Sequence, residues 1–449
     1  MKKYLKNFKK NTELALPIFF SQLGALSVNF FDNFMIGLLG KKSLASVSLA
    51  TSTFFIVIIF GLGISTAISP LITYVDAKKE YKKGAIILFH GLIMNTFLSI
   101  IMYIMVYIFS YILPYLGQPK EVLHDSISFL RIISITFVPW MIFEVFRKFS
   151  EGLSLNYPSI IVVWSSSILN IILNYVLIKG SFGFPKMGVL GVAYSTLISR
   201  IFMLFVMILL LRKQKKVHNY YCNIQFFFKK KYFAEILRIG IPSGFQMLFE
   251  FSTFAVSSFI SGRCGLKILT AHQIVLNLVS SSYLLSTGLS IAATVRMGQQ
   301  VALKNYHKLK TIGTSIFLMG IFFMLICSFF FLFFRKEIPR MYIKNDEELF
   351  SITEKMIIIS SIFQIFDGLQ GILMGALRGL QDVQIPMYII FFSYWIIAIP
   401  LAFLLSNYMD GSGVWMGLGI GMTISSILLF IRYDFIINQI CKKNIKKNI

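Results

Sequence analysis

Apolar runs of about 20 residues recur along the whole of this 449-residue chain, separated by short gaps of charged residues, glycine or proline. A water-soluble fold of this length could not hide that much apolar surface. In a bilayer each run is long enough to cross the hydrocarbon as a helix, which satisfies its own backbone hydrogen bonds. Read against their punctuation, the runs predict about twelve spans, at 14–36, 44–75, 85–113, 127–148, 160–178, 188–211, 237–260, 269–299, 311–334, 351–377, 386–406 and 414–432. The expected class is an all-α membrane protein with twelve transmembrane helices. The run from Leu14 to Ile36 follows a basic stretch as a signal-peptide core would. It is too long for one and lacks a small-residue cleavage site, so it reads as a retained first span.

A net charge of +24 would make nucleic acid a candidate partner for a soluble protein. Here the basic residues sit in the gaps between spans, and no nucleic-acid partner is expected. With the N-terminus in the cytoplasm, 29 of the 43 Lys and Arg fall on the cytoplasmic side. Positive-inside topology therefore places both termini in the cytoplasm of a multi-pass inner-membrane protein. The 335–350 loop is the exception, because it puts basic residues outside beside acidic ones. The four cysteines form no CxxC pair, so neither a metal cage nor a disulfide framework is suggested.

A repeat lies across the long basic gap at the centre of the chain. A shift of 225 residues pairs Pro17 with Pro242, Leu23 with Leu248, Gly63 with Gly288, Ser65 with Ser290 and Tyr81 with Tyr306, among others. The division this predicts is a first lobe at 1–211, a basic cytoplasmic linker at 212–236, a second lobe at 237–432 and a basic tail at 433–449. Six spans repeated once give two pseudo-symmetric six-helix bundles around a central cavity, which is a transporter plan.

Ionisable and amide side chains inside the spans are the candidate functional groups, because burying them in a membrane is costly. On the seventh span Ser243, Gln246, Glu250, Thr253 and Ser257 form one polar stripe. On the tenth, Asp367 begins a series with Gly371, Gly375 and Gly379, a ridge along which a neighbouring helix can approach closely. Glu250 and Asp367 are expected to share one cavity. In the first half, Gln22, Ala25, Asn29 and Asp32 share a face, and Asn170 and Asn174 lie one turn apart. Their oxygens suit Na⁺, whereas a desolvated carboxylate would take a proton instead. Interhelical hydrogen bonding that only holds the bundle together is the alternative. His90, His272, Glu144 and Arg147 read as structural, and Gly413, Gly417 and Gly421 as packing residues.

The stretches "LALPIFFSQLGALSVNFFDNFMIG", "ILNIILNYVL", "GIPSGFQMLFEFSTFAVSSFIS", "LTAHQIVLNL" and "FDGLQGILMGALRGLQD" run in an order that resembles the multidrug and toxic compound extrusion (MATE) family, its NorM branch most of all. The resemblance covers nearly the full chain. It implies an antiporter without a cofactor that exports amphipathic organic cations against Na⁺ or H⁺ by rocking of two lobes in the lipid bilayer. By position, Glu250 and Asp367 match the family's second-lobe acidic pair, and Asp32 with Asn170 and Asn174 its first-lobe cation cluster. Gln273 and Asn277 match polar positions of the eighth helix. The family pattern has Tyr one turn before the tenth-span Asp, where this chain has Phe363. A ring face can still meet a cation, but the hydroxyl ligand is gone. A monomer is expected.

Two other readings are a related flippase for lipid-linked oligosaccharides and an ion channel. The flippase calls for a strongly cationic cavity, whereas the mid-span charges here are predominantly acidic. No HExxH, GxSxG or P-loop points to an enzyme, and no selectivity-filter repeat to a channel.

Overall fold

The computed structural model describes residues 2–117, 119–223, 228–343 and 346–445. Residues 224–227 of the expected linker, 344–345 of the 335–350 loop and 446–449 of the tail lie outside them. Every regular element described is helical. The helices are α1 (Lys2–Gly37), α2 (Lys41–Ser65), α3 (Ile68–Ala77), α4 (Tyr81–Ile112), α5 (Lys120–Ile135), α6 (Phe137–Gly152), α7 (Tyr157–Lys179) and α8 (Val189–Arg212). There follow α9 (Lys215–Tyr221), α10 (Lys230–Cys264), α11 (Leu266–Ala302), α12 (Tyr306–Phe333), α13 (Glu337–Tyr342), α14 (Glu347–Gly379), α15 (Gln384–Phe391) and α16 (Ile399–Ile445).

Ten stretches of the described residues are long and apolar enough to cross a membrane. The polar α10 is not one of them, and the last stretch, Gln384–Lys442, contains two passes. The chain is a multi-pass membrane protein.

Two predicted spans are each two helices. The break in 44–75 falls at Thr66, and that in 127–148 at Thr136. Each threonine turns its hydroxyl back on the carbonyl three residues earlier, Thr66 to Gly63 at 2.6 Å and Thr136 to Ile133 at 2.5 Å. This competes with the backbone ladder. Pro70 and Pro139 then occupy the first turns of α3 and α6, where a missing N–H costs little.

The two passes at the end of the chain arise at Asp410, whose φ of 50° and ψ of −134° interrupt α16. Beyond it, a Cβ on Gly413, Gly417 or Gly421 would strike Leu405, Ala402 or Ala398 respectively, so the two arms lie backbone to backbone. Packing is thus the role of these glycines. Asp410 pays for the turn with a strained backbone, and Asp410→Gly should stabilise the protein by up to about 1 kcal/mol. A thermal melt in detergent checks this, and a lower midpoint would overturn it.

Contacts divide the chain into two compact units, one of Phe20–Gly244 and one of the residues up to Phe19 together with those from Phe245 onward. This differs from a first lobe at 1–211, since the first part of α1 packs with the second-half unit and the first part of α10 with the first-half unit. The two boundaries, after Phe19 and after Gly244, are 225 residues apart. That is the offset of the sequence repeat. Each boundary follows a helix-interior proline by two residues, Pro17 in α1 and Pro242 in α10. A proline there removes one ladder bond and bends the helix.

Specific contacts hold the exchanged segments. In the second-half unit, Arg296 of α11 donates to the Asn7 carbonyl at 3.1 Å, to Asn7 Oδ1 at 2.7 Å and to Asn11 Oδ1, and Asn11 donates to Ser315 of α12 at 3.2 Å. A Cβ on Gly288 would lie 2.8 Å from the Ala15 carbonyl. In the first-half unit, its repeat partner Gly63 comes equally close to Ser243 and Gly244 of α10. The Lys229 amide donates to His90 Nε2 at 2.8 Å, while His90 Nδ1 meets the Ile86 carbonyl at 2.8 Å, which gives this histidine a structural role.

The expected linker is partly folded. Lys216 and Tyr220 of α9 bind Asp76 at 2.7 and 2.8 Å, and Lys216 also donates to the Leu153 carbonyl. Burial, with Asp76 beside it, pushes the Tyr220 phenol above its usual range, so it remains a donor. Three charges of the 335–350 loop find ion-pair partners outside it. Arg335 meets Glu354 at 3.0 Å, and Lys267 meets Asp346 at 3.1 Å and Glu348 at 2.5 Å. Asp346 also caps α14 by accepting from the Leu349 amide, and that bond together with Lys267 holds its carboxyl below the ordinary range.

Candidate functional site

Each unit carries its own polar cluster. In the first-half unit the second part of α1 lies against α7. A Cβ on Gly24 would press on Val163 at 2.9 Å, Ser167 donates to the Gly24 carbonyl at 3.1 Å, and Trp164 donates to the Phe20 carbonyl at 3.1 Å. About two turns further along both helices, this register brings Asp32 to the asparagines. Asn174 donates to Asp32 Oδ1 at 2.5 Å and to Asn170 Oδ1 at 3.1 Å. Asn170 and Asn174 are buried, yet Asn170 Nδ2 and Asn174 Oδ1 have no partner among the described residues. Asp32 is half-buried, and Asn29 on the same expected face is exposed.

Arg200 of α8 completes this cluster. Its guanidinium stacks on Trp140 at 3.9 Å and Phe54 at 5.2 Å, and it donates to Thr136. It also acts electrostatically on Asp32. By its position Arg200 is a cation inside the predicted span 188–211. The cost of burying such a charge required a partner but did not say which.

In the second-half unit the stripe on α10 faces protein, since Gln246, Glu250 and Thr253 are all buried. Asp367 on α14 is buried too and lies within electrostatic range of Glu250. The glycine ridge is what brings the helices together, and its partner is α11. Ser290 donates to the Gly371 carbonyl at 2.7 Å and Thr294 to the Gly375 carbonyl at 2.8 Å, where a Cβ on either Gly375 or Gly379 would collide with the α11 backbone. The same approach sets the Tyr283 ring against Gly371, with its hydroxyl in hydrogen-bonding reach of Glu250.

Around the acidic pair, Gln370 Nε2 donates to Glu250 Oε1 at 3.5 Å, and Arg378 donates to Gln246 Oε1 at 3.4 Å. A cavity of about 10 Å³ beside Asp367, room for roughly one water-sized particle, is lined by Phe363, Gln364 and Trp415 among others. Phe363 also packs on Gly419.

Gln273 and Asn277 lie on the same helix as Tyr283. Both are exposed on α11, and Gln273 donates to Ser258 at 3.2 Å, about two turns beyond Glu250 on α10. His272 is held between Ser258 at 3.2 Å and the Trp415 ring. Glu144 and Arg147 pair at 2.8 Å. Tyr283, Gln370, Arg378 and Arg200 are the neighbours that sequence reasoning missed. For the two arginines the signal was a charge inside or beside a span, but for Tyr283 and Gln370 nothing local distinguished them.

The chemistry available in both clusters is similar. None of Asp32, Glu250 and Asp367 forms a direct ion pair among the described residues. Asp32 accepts from Asn174 and Glu250 from Gln370, neutral donors that leave a carboxylate's charge uncancelled and available to a mobile cation.

Comparison with known proteins follows the same two halves. The family model MatE matches residues 17–176 and 242–404. A probable multidrug resistance protein NorM of Rhizobium meliloti is 30% identical over 97% of this chain and 94% of its own length. One of Bacillus anthracis is 29% identical over 96% of this chain and 95% of its own. Among solved structures, the eukaryotic MATE transporter AtDTX14 superposes with a TM-score of 0.87 at 20% identity, covering 98% of this chain and 99% of that one. At that identity the likeness speaks for the fold.

Proposed function

The chain belongs to the MatE family, and from that premise we propose that it is a secondary multidrug antiporter, exporting amphipathic organic cations in exchange for Na⁺ or H⁺. The observation that carries this reading is the set of carboxylates at Asp32, Glu250 and Asp367, the first half-buried and the other two buried, all without a direct ion-pair partner among the described residues. Such groups are costly to bury, and a bound cation offsets the cost.

An antiporter must hold the ion and the cargo alternately, and one carboxylate that either can neutralise does this directly. Proton or Na⁺ binding at Asp32 or at the Glu250–Asp367 pair then releases the organic cation. Asn170 and Asn174 orient Asp32, while Tyr283 and Gln370 orient Glu250. Phe363 offers a ring face beside Asp367 in place of a hydroxyl ligand. The protein works as a monomer in the inner membrane with both termini in the cytoplasm, and Gln273 and Asn277 line the cargo's route.

Ethidium efflux from proteoliposomes under separately imposed Na⁺ and pH gradients tests the reading. One of the two gradients should drive efflux against a concentration difference. Efflux that ignores both, or ion conductance without exchange, would count against an antiporter.

A further inference from the structure

Gln370 is fully buried in α14, and its bonds are all directional. Its Oε1 accepts from Tyr394 at 3.0 Å and from Ser425, which leaves its NH₂ group facing Glu250. That orientation fits a Glu250 that only accepts hydrogen bonds, as an ionised carboxylate does. A Glu250 that carries a proton becomes a donor. Where that proton points at Gln370, the amide meets it by turning over, with Oε1 toward Glu250 and NH₂ toward the two hydroxyls. Those hydroxyls must then accept instead of donate. Ser425 has a second acceptor ready in the Met422 carbonyl at 2.8 Å.

Tyr394 lies inside a π-helical segment, Phe392–Ala398, that joins α15 to α16. Beside it the Ser393 hydroxyl is buried without a partner among the described residues. A π-helical turn accommodates one surplus residue in a helix and is rare outside functional positions. Such a turn has a nearby α-helical alternative, so a change in what Tyr394 must bind can move it.

We propose that Gln370 is a positioning residue that reads the charge state of Glu250 and passes it through Tyr394 to the π-helical turn, so that neutralisation of Glu250 resets the junction of α15 and α16. The inference rests on the reading above in taking Glu250 as a group that is alternately charged and neutral. Its consequence is that the state of the buried site is written into the geometry of a helix that does not itself carry the carboxylate.

Hydrogen exchange of the 392–398 segment in the detergent-solubilised protein tests this without any transport measurement. Glu250→Gln, which keeps the shape and removes the charge, should change exchange there by about fivefold or more. The difference should vanish when Tyr394→Phe is added. Ser425→Ala, which strips the other hydroxyl from Gln370, serves as a second variant and should shrink the difference. Equal exchange in wild type and Glu250→Gln, or a difference that survives Tyr394→Phe, overturns the proposal even where efflux is intact.

In proteoliposomes Tyr394→Phe should leave ethidium affinity within about twofold and slow gradient-driven efflux by about tenfold, the worth of one buried hydrogen bond. Binding and efflux lost in equal proportion would mark a merely structural tyrosine and overturn it as well. Absence of efflux in the wild type would instead refute the antiporter and leave the exchange result standing on its own.

Discussion

Glu250→Gln and Asp367→Asn are each expected to reduce gradient-driven efflux by about 100-fold or more while the protein still inserts and folds. The estimate follows from removing one partner of a charge pair in a desolvated site, which costs at least about 2–5 kcal/mol. An amide keeps the shape of the carboxyl, so the loss isolates charge from packing. Asp32→Asn is expected to act in the same direction, and the size of its effect relative to the other two says which unit holds the coupling ion.

Stability separates this reading from hydrogen-bonded glue. Buried carboxylates without a direct ion-pair partner burden the folded state, so the neutral variants should melt at the same temperature as the wild type or higher. A lower melting temperature with efflux retained would mean the acids only hold the bundle together. Full efflux in all three variants would end the assignment.

The second large effect concerns a compact cluster of buried charges. On α6 Lys148 meets Glu151 at 2.7 Å, both side chains less than a tenth exposed, and Arg147 bridges Glu144 at 2.8 Å and Glu151 at 3.7 Å. Glu151→Gln leaves Lys148 buried without its counter-charge and should cost about 3–5 kcal/mol, enough to lower yield and melting temperature sharply. Replacing both partners, Lys148→Met with Glu151→Leu, removes the uncompensated charge along with the pair and should recover most of the loss. Strictly additive effects in size-exclusion thermal melts would show that the two side chains are not energetically coupled.

Much of this was legible from residue order because it depends on local properties. Span length and hydropathy follow from the run of side chains along one helix. The polar stripe of Gln246, Glu250 and Thr253 is a periodicity of 3 and 4, and burial of that face is the only tolerable outcome in a membrane. The Gly371–Gly375–Gly379 ridge announced a close helix neighbour in the same way, although it did not say that the neighbour is α11. Thr66 and Thr136, by contrast, broke two spans that hydropathy reads as continuous, because a hydroxyl bonding back to a carbonyl does not register as polarity at the scale of a span.

What the sequence alone determined is therefore what single helices determine: twelve passes of the membrane, a repeat at 225 residues, and carboxylates placed where water is excluded. The tertiary structure decided which helix faces meet. It put Asn174 on Asp32, seated Arg200 on Trp140 and Thr136, set Tyr283 and Gln370 around Glu250, and exchanged the first segments of α1 and α10 between the units at Phe19 and Gly244. The reason is that hydropathy and periodicity are summed along one helix axis. The partners of a buried charge are instead chosen by the packing of whole helices, where residues more than a hundred positions apart become neighbours.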